Sequence, residues 1–113
     1  MMLEQKKDQL IGFWKENFDF IDEEIEAFKN VKRENFVIEE MKSFAYEDTP
    51  LPLMRGKTIS QPTTVMMMTS ALEIKRGEKI FEIGTGSGYQ AALLAKMTGE
   101  KGKIVTTEVI PEL

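Results

Sequence analysis

A chain of 113 residues is long enough for one domain at most, and its 42% hydrophobic and 30% charged residues suit a packed core with a solvated surface, not a disordered tract. Cysteine and histidine are both absent, which excludes disulfides and thiolate chemistry and removes the commonest metal ligand and general base, so no metal site is expected. The net charge of −4 is uneven, with 13 acids against 7 bases over residues 1–48 and 6 against 8 over 49–113; with no basic cluster longer than Lys75-Arg76, nucleic acid is disfavoured as a partner.

The N-terminus has no basic-then-apolar leader pattern, and the most apolar window, Val65 to Leu72, is too short to span a bilayer. A cytoplasmic protein without a membrane partner is expected. Leu3, Leu10, Ile11, Trp14 and Phe18 recur at steps of three to four among charged residues, the pattern of an amphipathic helix. A second helix is expected to begin at Asp22 as N-cap, with Glu23 and Glu24 in its first turn and Ile25, Phe28 and Val31 on one side. The aromatic stripe reads as core.

Between Arg33 and Pro52 the period breaks. A short helix is expected over Glu39 to Phe44, and Pro50 and Pro52 forbid a regular helix where they stand. Gly56 loosens the backbone, and Ser60 with Pro62 resembles an N-cap region leading into a helix from Thr63 to Ile74 that stops at Gly77. Met66-Met67-Met68 cannot all share one helix face, and packing of two of them into the core is expected.

Lys79-Ile80-Phe81-Glu82-Ile83 then reads as a buried strand, Gly84-Thr85-Gly86-Ser87-Gly88 as a tight glycine turn, and the Ala/Leu-rich run from Ala91 to Ala95 as a helix that continues to Met97 and is stopped by Gly99. Lys103 to Glu108 reads as a second strand, and Pro111 as a first-turn position of another helix. Strand, glycine turn and helix in this order build nucleotide-cofactor crevices. The dinucleotide fingerprint, however, spaces its third glycine one residue later, where Tyr89 stands here.

Two acids narrow the choice of cofactor. Glu108, at the carboxyl end of the second strand, is placed to accept hydrogen bonds from both ribose hydroxyls and would repel a 2′-phosphate. Glu82, two residues before the first glycine, suits a cofactor with an amino group or cationic centre and would repel a pyrophosphate. S-adenosylmethionine has that chemistry. The structural alternatives are a surface carboxylate on a strand end for Glu82 and an acid before a loop for Glu108.

Several segments, in order, resemble the protein-L-isoaspartate O-methyltransferase family: Arg33-Glu34-Asn35-Phe36-Val37, Ala45-Tyr46-Glu47-Asp48, Leu51-Pro52-Leu53, Gly56-Lys57-Thr58-Ile59-Ser60-Gln61-Pro62 and Glu82 through Ala92. The Thr58-Ile59-Ser60-Gln61-Pro62 segment is the most specific of these. The resemblance implies an α/β, Rossmann-like fold that transfers a methyl group from S-adenosylmethionine to the free carboxyl of L-isoaspartyl residues in damaged proteins. It also implies that Ser60 is the substrate-side catalytic residue, that Thr58 and Ile59 belong to a loop over the cofactor, that Glu82, Ile83, Gly84, Thr85, Gly86, Ser87 and Gly88 line the methionine side, and that Glu108 holds the ribose. An N-cap role explains the position of Ser60 equally well.

Thr63 stands where family members usually have an aromatic or a histidine, so a different pocket wall is expected there. The family's sheet has more strands than this chain, and the resemblance therefore implies the N-terminal half of a methyltransferase. Residues 1–62 would form a helical lead-in and substrate loop, and residues 63–113 the first β-α-β unit. Two alternatives stand beside the repair enzyme: a truncated, inactive fragment that self-associates or binds a partner through its incomplete sheet, and a related methyltransferase with a small-molecule acceptor.

Overall fold

The computed structural model describes residues 2–113. Helix α1 spans Leu3–Asn17 and helix α2 spans Asp22–Asn30. The start of α2 differs from expectation. Ile21, not Asp22, is the N-cap, and its N–H donates to Glu24 Oε1 at 2.9 Å. Asp22 falls in the first turn, where its charge favours the helix dipole without capping it.

Short 3-10 turns cover Arg33–Phe36 and Glu39–Phe44. Strands β1 (Leu51–Pro52) and β2 (Thr58–Ile59) then pair antiparallel, Leu51 opposite Ile59. Their connection reverses through Arg55 at φ 61° and Gly56 at φ 71°. Helix α3 runs Pro62–Ala71, one residue earlier at its start and three shorter at its end than the sequence pattern predicts. Glu73 at φ 51° turns the chain out of the helix well before Gly77.

Strand β3 (Lys79–Ile83), helix α4 (Tyr89–Thr98) and strand β4 (Lys103–Thr107) form a β-α-β unit whose strands pair in parallel, Ile80 opposite Ile104 and Ile83 opposite Thr107. Gly99, at φ 75°, ends α4 as expected. Residues 109–113 form a turn, Leu113 N–H donating to Ile110 O at 3.2 Å, and no helix starts at Pro111.

Two clusters make the core. One centres on Trp14 and Phe28, ring centroids 4.6 Å apart, with Leu10, Ile11, Ile25, Tyr46 and Met66. The other joins Ala27, Val31, Leu51 and Ile59 to Val65, Tyr89, Leu93 and Met97. Of the three consecutive methionines only Met66 is buried, whereas Met67 and Met68 are exposed, so one and not two packs into the core. Strand β3 is not the buried strand its composition predicts. Phe81 is 62% exposed and Ile83 82%, because α4 packs on the sheet from one side while the face that carries them is left largely open. Among the described residues, no helix is long and apolar enough to cross a membrane.

Candidate functional site

A cleft of about 440 Å³ opens between the β2–α3 junction, α3 and the glycine turn. Thr58, Ile59 and Ser60 line one side, and Glu82, Gly84, Thr85, Gly86 and Ser87 line another. Thr64, Val65 and Met68 of α3 and its C-cap Leu72, with Ile80, Phe81, Tyr89, Gln90 and Leu94, complete the wall. Eight of the sequence-selected residues are thus brought together. Ile83, Gly88 and Glu108 are not on the wall.

The glycine turn owes its shape to backbone sterics. Gly84, Gly86 and Gly88 take φ values of 77°, 58° and 85°, a region that side chains with a Cβ rarely enter. A Cβ at any of the three would meet nothing within 4 Å, so the space above the turn is open to a ligand. Gly88 is the N-cap of α4, and the Thr85 carbonyl accepts from its N–H at 2.9 Å.

Glu108 sits behind the turn and latches it. Its Oε1 accepts from Gly86 N–H at 2.8 Å, and its Oε2 accepts from the N–H groups of Val109 and Ile110, each at 3.1 Å. These backbone donors, Gly86 foremost and then Ile110, hold the carboxyl below the usual range, against a small opposing effect of burial. A carboxylate offers roughly four acceptor sites, so these bonds leave capacity for a ligand hydroxyl. Glu82 Oε1 accepts from Thr106 Oγ1 across the strand pair at 2.7 Å, and its second oxygen has no partner among the described residues.

Thr85 is part of the cleft wall, and its hydroxyl is buried with no hydrogen-bond partner among the described residues. An orphaned hydroxyl in a glycine turn that is itself tied to a carboxylate, through Gly86 N–H and Glu108, fits a cofactor bearing amino and hydroxyl groups. Ser60 is exposed on the opposite wall.

Capping does not account for Ser60. The N-cap of α3 is Gln61, and the Thr63 N–H in the first turn is met from outside the helix, by Asp48 Oδ1 at 2.9 Å. The Thr63 hydroxyl donates to Asp48 Oδ2 at 2.6 Å and accepts from Trp14 Nε1 at 2.8 Å. Thr63 is therefore turned into the core and does not line the cleft, contrary to the expected pocket wall.

Nothing in the pattern of residues marks Asp48, Gln90 or Arg33, whose partners lie far along the chain. Gln90 lines the cleft and donates to Thr69 Oγ1 at 2.8 Å, which ties α4 to α3. Arg33 is fully buried and donates to the carbonyls of Ala45 and Ser60. The one signal for all three was their place in segments of the family resemblance.

A parallel β-α-β with a glycine turn, an acid closing the second strand and a loop facing the turn is the layout of a Rossmann-like α/β fold. The family described as protein-L-isoaspartate(D-aspartate) O-methyltransferase matches residues 5–113, and the chain belongs to that family. It is 48% identical over 112 residues to a protein-L-isoaspartate O-methyltransferase of Ignicoccus hospitalis, covering 98% of this chain and 53% of the relative. It is 40% identical over 113 residues to protein-L-isoaspartate O-methyltransferase 2 of Archaeoglobus fulgidus, covering 100% and 52%.

A solved protein-L-isoaspartate O-methyltransferase superposes with a TM-score of 0.78 at 29% identity, over 97% of this chain and 35% of that one. A Plasmodium falciparum structure, titled as a complex with S-adenosyl-L-homocysteine, has the same fold, with a TM-score of 0.80 at 24% identity over 96% and 50%. The chain spans about half the length of these curated relatives.

Proposed function

We propose that the chain is the acceptor-loop and cofactor-turn part of a protein-repair methyltransferase that moves a methyl group from S-adenosylmethionine to the free carboxyl of L-isoaspartyl residues. The observation that supports this reading best is the cleft shared by the Ser60 loop and the Glu82–Ser87 turn. Family membership supports the acceptor class. The division at residue 62 into lead-in and sheet, the isoaspartyl-bearing protein partners and a cytoplasmic setting belong to the same proposal.

The cofactor supplies a methyl group activated by a sulfonium. The acceptor carboxylate is already ionised at neutral pH, so the protein needs no histidine to generate the nucleophile. Its residues position and enclose. Glu82 would take the amino group with its unpaired oxygen, Thr85 would use its orphaned hydroxyl, and Gly84, Gly86 and Ser87 would supply a backbone close enough to touch the ligand. Ile83 and Gly88 would shape the turn from outside the cleft. Glu108 would accept from the ribose while holding Gly86. Thr58 and Ile59 would cover the cofactor, and Ser60 would meet the acceptor with its free hydroxyl.

The test is methyl transfer by this chain to an isoaspartyl peptide and its aspartyl counterpart, with calorimetry against S-adenosylhomocysteine. Ester on the isoaspartyl peptide alone is expected, and Ser60→Ala should lower turnover about 100-fold with cofactor affinity kept. Equal transfer to both peptides would mean another acceptor class. Neither ester nor heat would leave a structural fragment.

A further inference from the structure

Arg33 opens the 3-10 turn Arg33–Phe36 with its side chain fully buried. Its Nε donates to Ala45 O at 2.7 Å and its Nη2 to Ser60 O at 2.8 Å. Its guanidinium carbon lies 5.2 Å from the centroid of the Tyr89 ring, and Tyr89 is the first residue of α4, directly after Gly88. Its own N–H donates to the Tyr46 hydroxyl at 3.1 Å, and that hydroxyl donates to Glu34 at 2.6 Å. No carboxylate pairs with Arg33 within 4.0 Å among the described residues. The Nη1 group and the Tyr89 hydroxyl make no well-formed hydrogen bond there, although the hydroxyl lies close enough to act on the guanidinium.

Asp48 acts on the guanidinium only from beyond 4.0 Å, and a buried charge without a direct ion pair is an expensive way to fill a core. A methionine would cover the same apolar neighbours without the desolvation cost. The guanidinium does something an apolar side chain cannot: it grips two carbonyls from different segments along fixed directions while it lies over an aromatic ring. One of those carbonyls belongs to Ser60 and the ring belongs to the residue that ends the glycine turn. The two walls of the cleft therefore meet on one rigid group.

We propose that Arg33 is a positioning residue that sets the Ser60 loop against the start of α4, and so fixes the separation of the acceptor and cofactor sides of the cleft. It deepens the methyltransferase reading and rests on it. In a transfer between two bound groups, a displacement near 1 Å costs about 100-fold in rate. The Ser60 carbonyl would relax by such an amount once its donor is lost, whereas Gly86 and Glu108 keep their own bonds.

Arg33→Lys keeps the charge and loses the fork, and it is compared with the parent in the full 113-residue chain. Amide exchange of residues 57–61 should rise about tenfold, with residues 10–28 of α1 and α2 unchanged, as expected for local opening without global unfolding. Turnover on the isoaspartyl peptide should fall about 100-fold, while affinity for S-adenosylhomocysteine and the KM for the cofactor stay within about threefold. Unchanged exchange over 57–61 would overturn the proposal. A rise spread over the whole chain, or failure of the variant to fold, would make Arg33 a general core residue and overturn it equally. A parent chain without transfer would sink the methyltransferase reading alone, because the exchange comparison decides the role of Arg33 independently.

Discussion

The Thr63 hydroxyl accepts from Trp14 Nε1 and donates to Asp48 Oδ2, so one small side chain joins α1, the loop before β1 and the first turn of α3. All of it lies in or beside the core, where an abandoned donor is costly. Thr63→Val preserves shape and strands the indole N–H, with an expected loss of about 1–3 kcal/mol in the urea unfolding free energy. Thr63→Ser keeps the hydroxyl and should lose less. Glu108 makes a different kind of prediction. Its carboxyl is held below the usual range in the folded chain by the Gly86 and Ile110 N–H groups, so the unfolded chain takes up the proton first as the pH drops. Its contribution is then present above the ordinary carboxylate value, about 4.3 for glutamate, and is lost as pH falls through the lowered folded value. Glu108→Gln should unfold at lower urea than the parent at pH 6, and the two curves should converge in acid. A gap that stays constant into acid would show that the latch does not depend on charge.

At the scale of elements, the β3-turn-α4-β4 unit was legible because its constraints are local. Glycines at alternate positions answer to positive φ, Gly99 answers to a helix that must stop, and Lys103–Thr107 is rich in β-branched residues. The β1–β2 pair was not legible, since two residues per strand carry no period. A capping role for Ser60 stays open on the sequence for want of Asp48, whose role exists only once the chain has brought residue 48 to residue 63. Exposure of β3 was equally hidden, because its composition records what a strand can bury and not what covers it. The α4–β4 corner can be tested directly. A Cβ on Gly102 would collide with the Thr98 side chain and come to 3.0 Å from Glu78 O, the carbonyl that accepts from Lys103 N–H. Gly102→Ala should therefore cost about 1–3 kcal/mol by overpacking, seen as a lower thermal midpoint. Gly12→Ala, with nothing within 4 Å, should leave the midpoint level or raise it.

For the whole molecule, the sheet sets the outstanding physical problem. Parallel strands are normally covered on both faces, yet here Phe81, Ile83 and Val105 share one exposed face and both strands have a free outer edge. Apolar area left in water and unpaired backbone groups both favour association. A second copy carries the same face and the same edges, so the chain should self-associate as its concentration rises. Val105 lies off the wall of the cleft and outside the glycine turn, which lets it be changed without altering the residues proposed to bind cofactor. Burial of Val105 from each of two copies contributes about 3 kcal/mol, equivalent to somewhat over 100-fold in a dissociation constant. Val105→Lys should weaken association by at least about 100-fold in sedimentation velocity, while calorimetry with S-adenosylhomocysteine stays as in the parent. A parent chain that sediments as a 12.9 kDa monomer at every concentration would mean that two strands and one helix can leave this face in water at no cost to solubility.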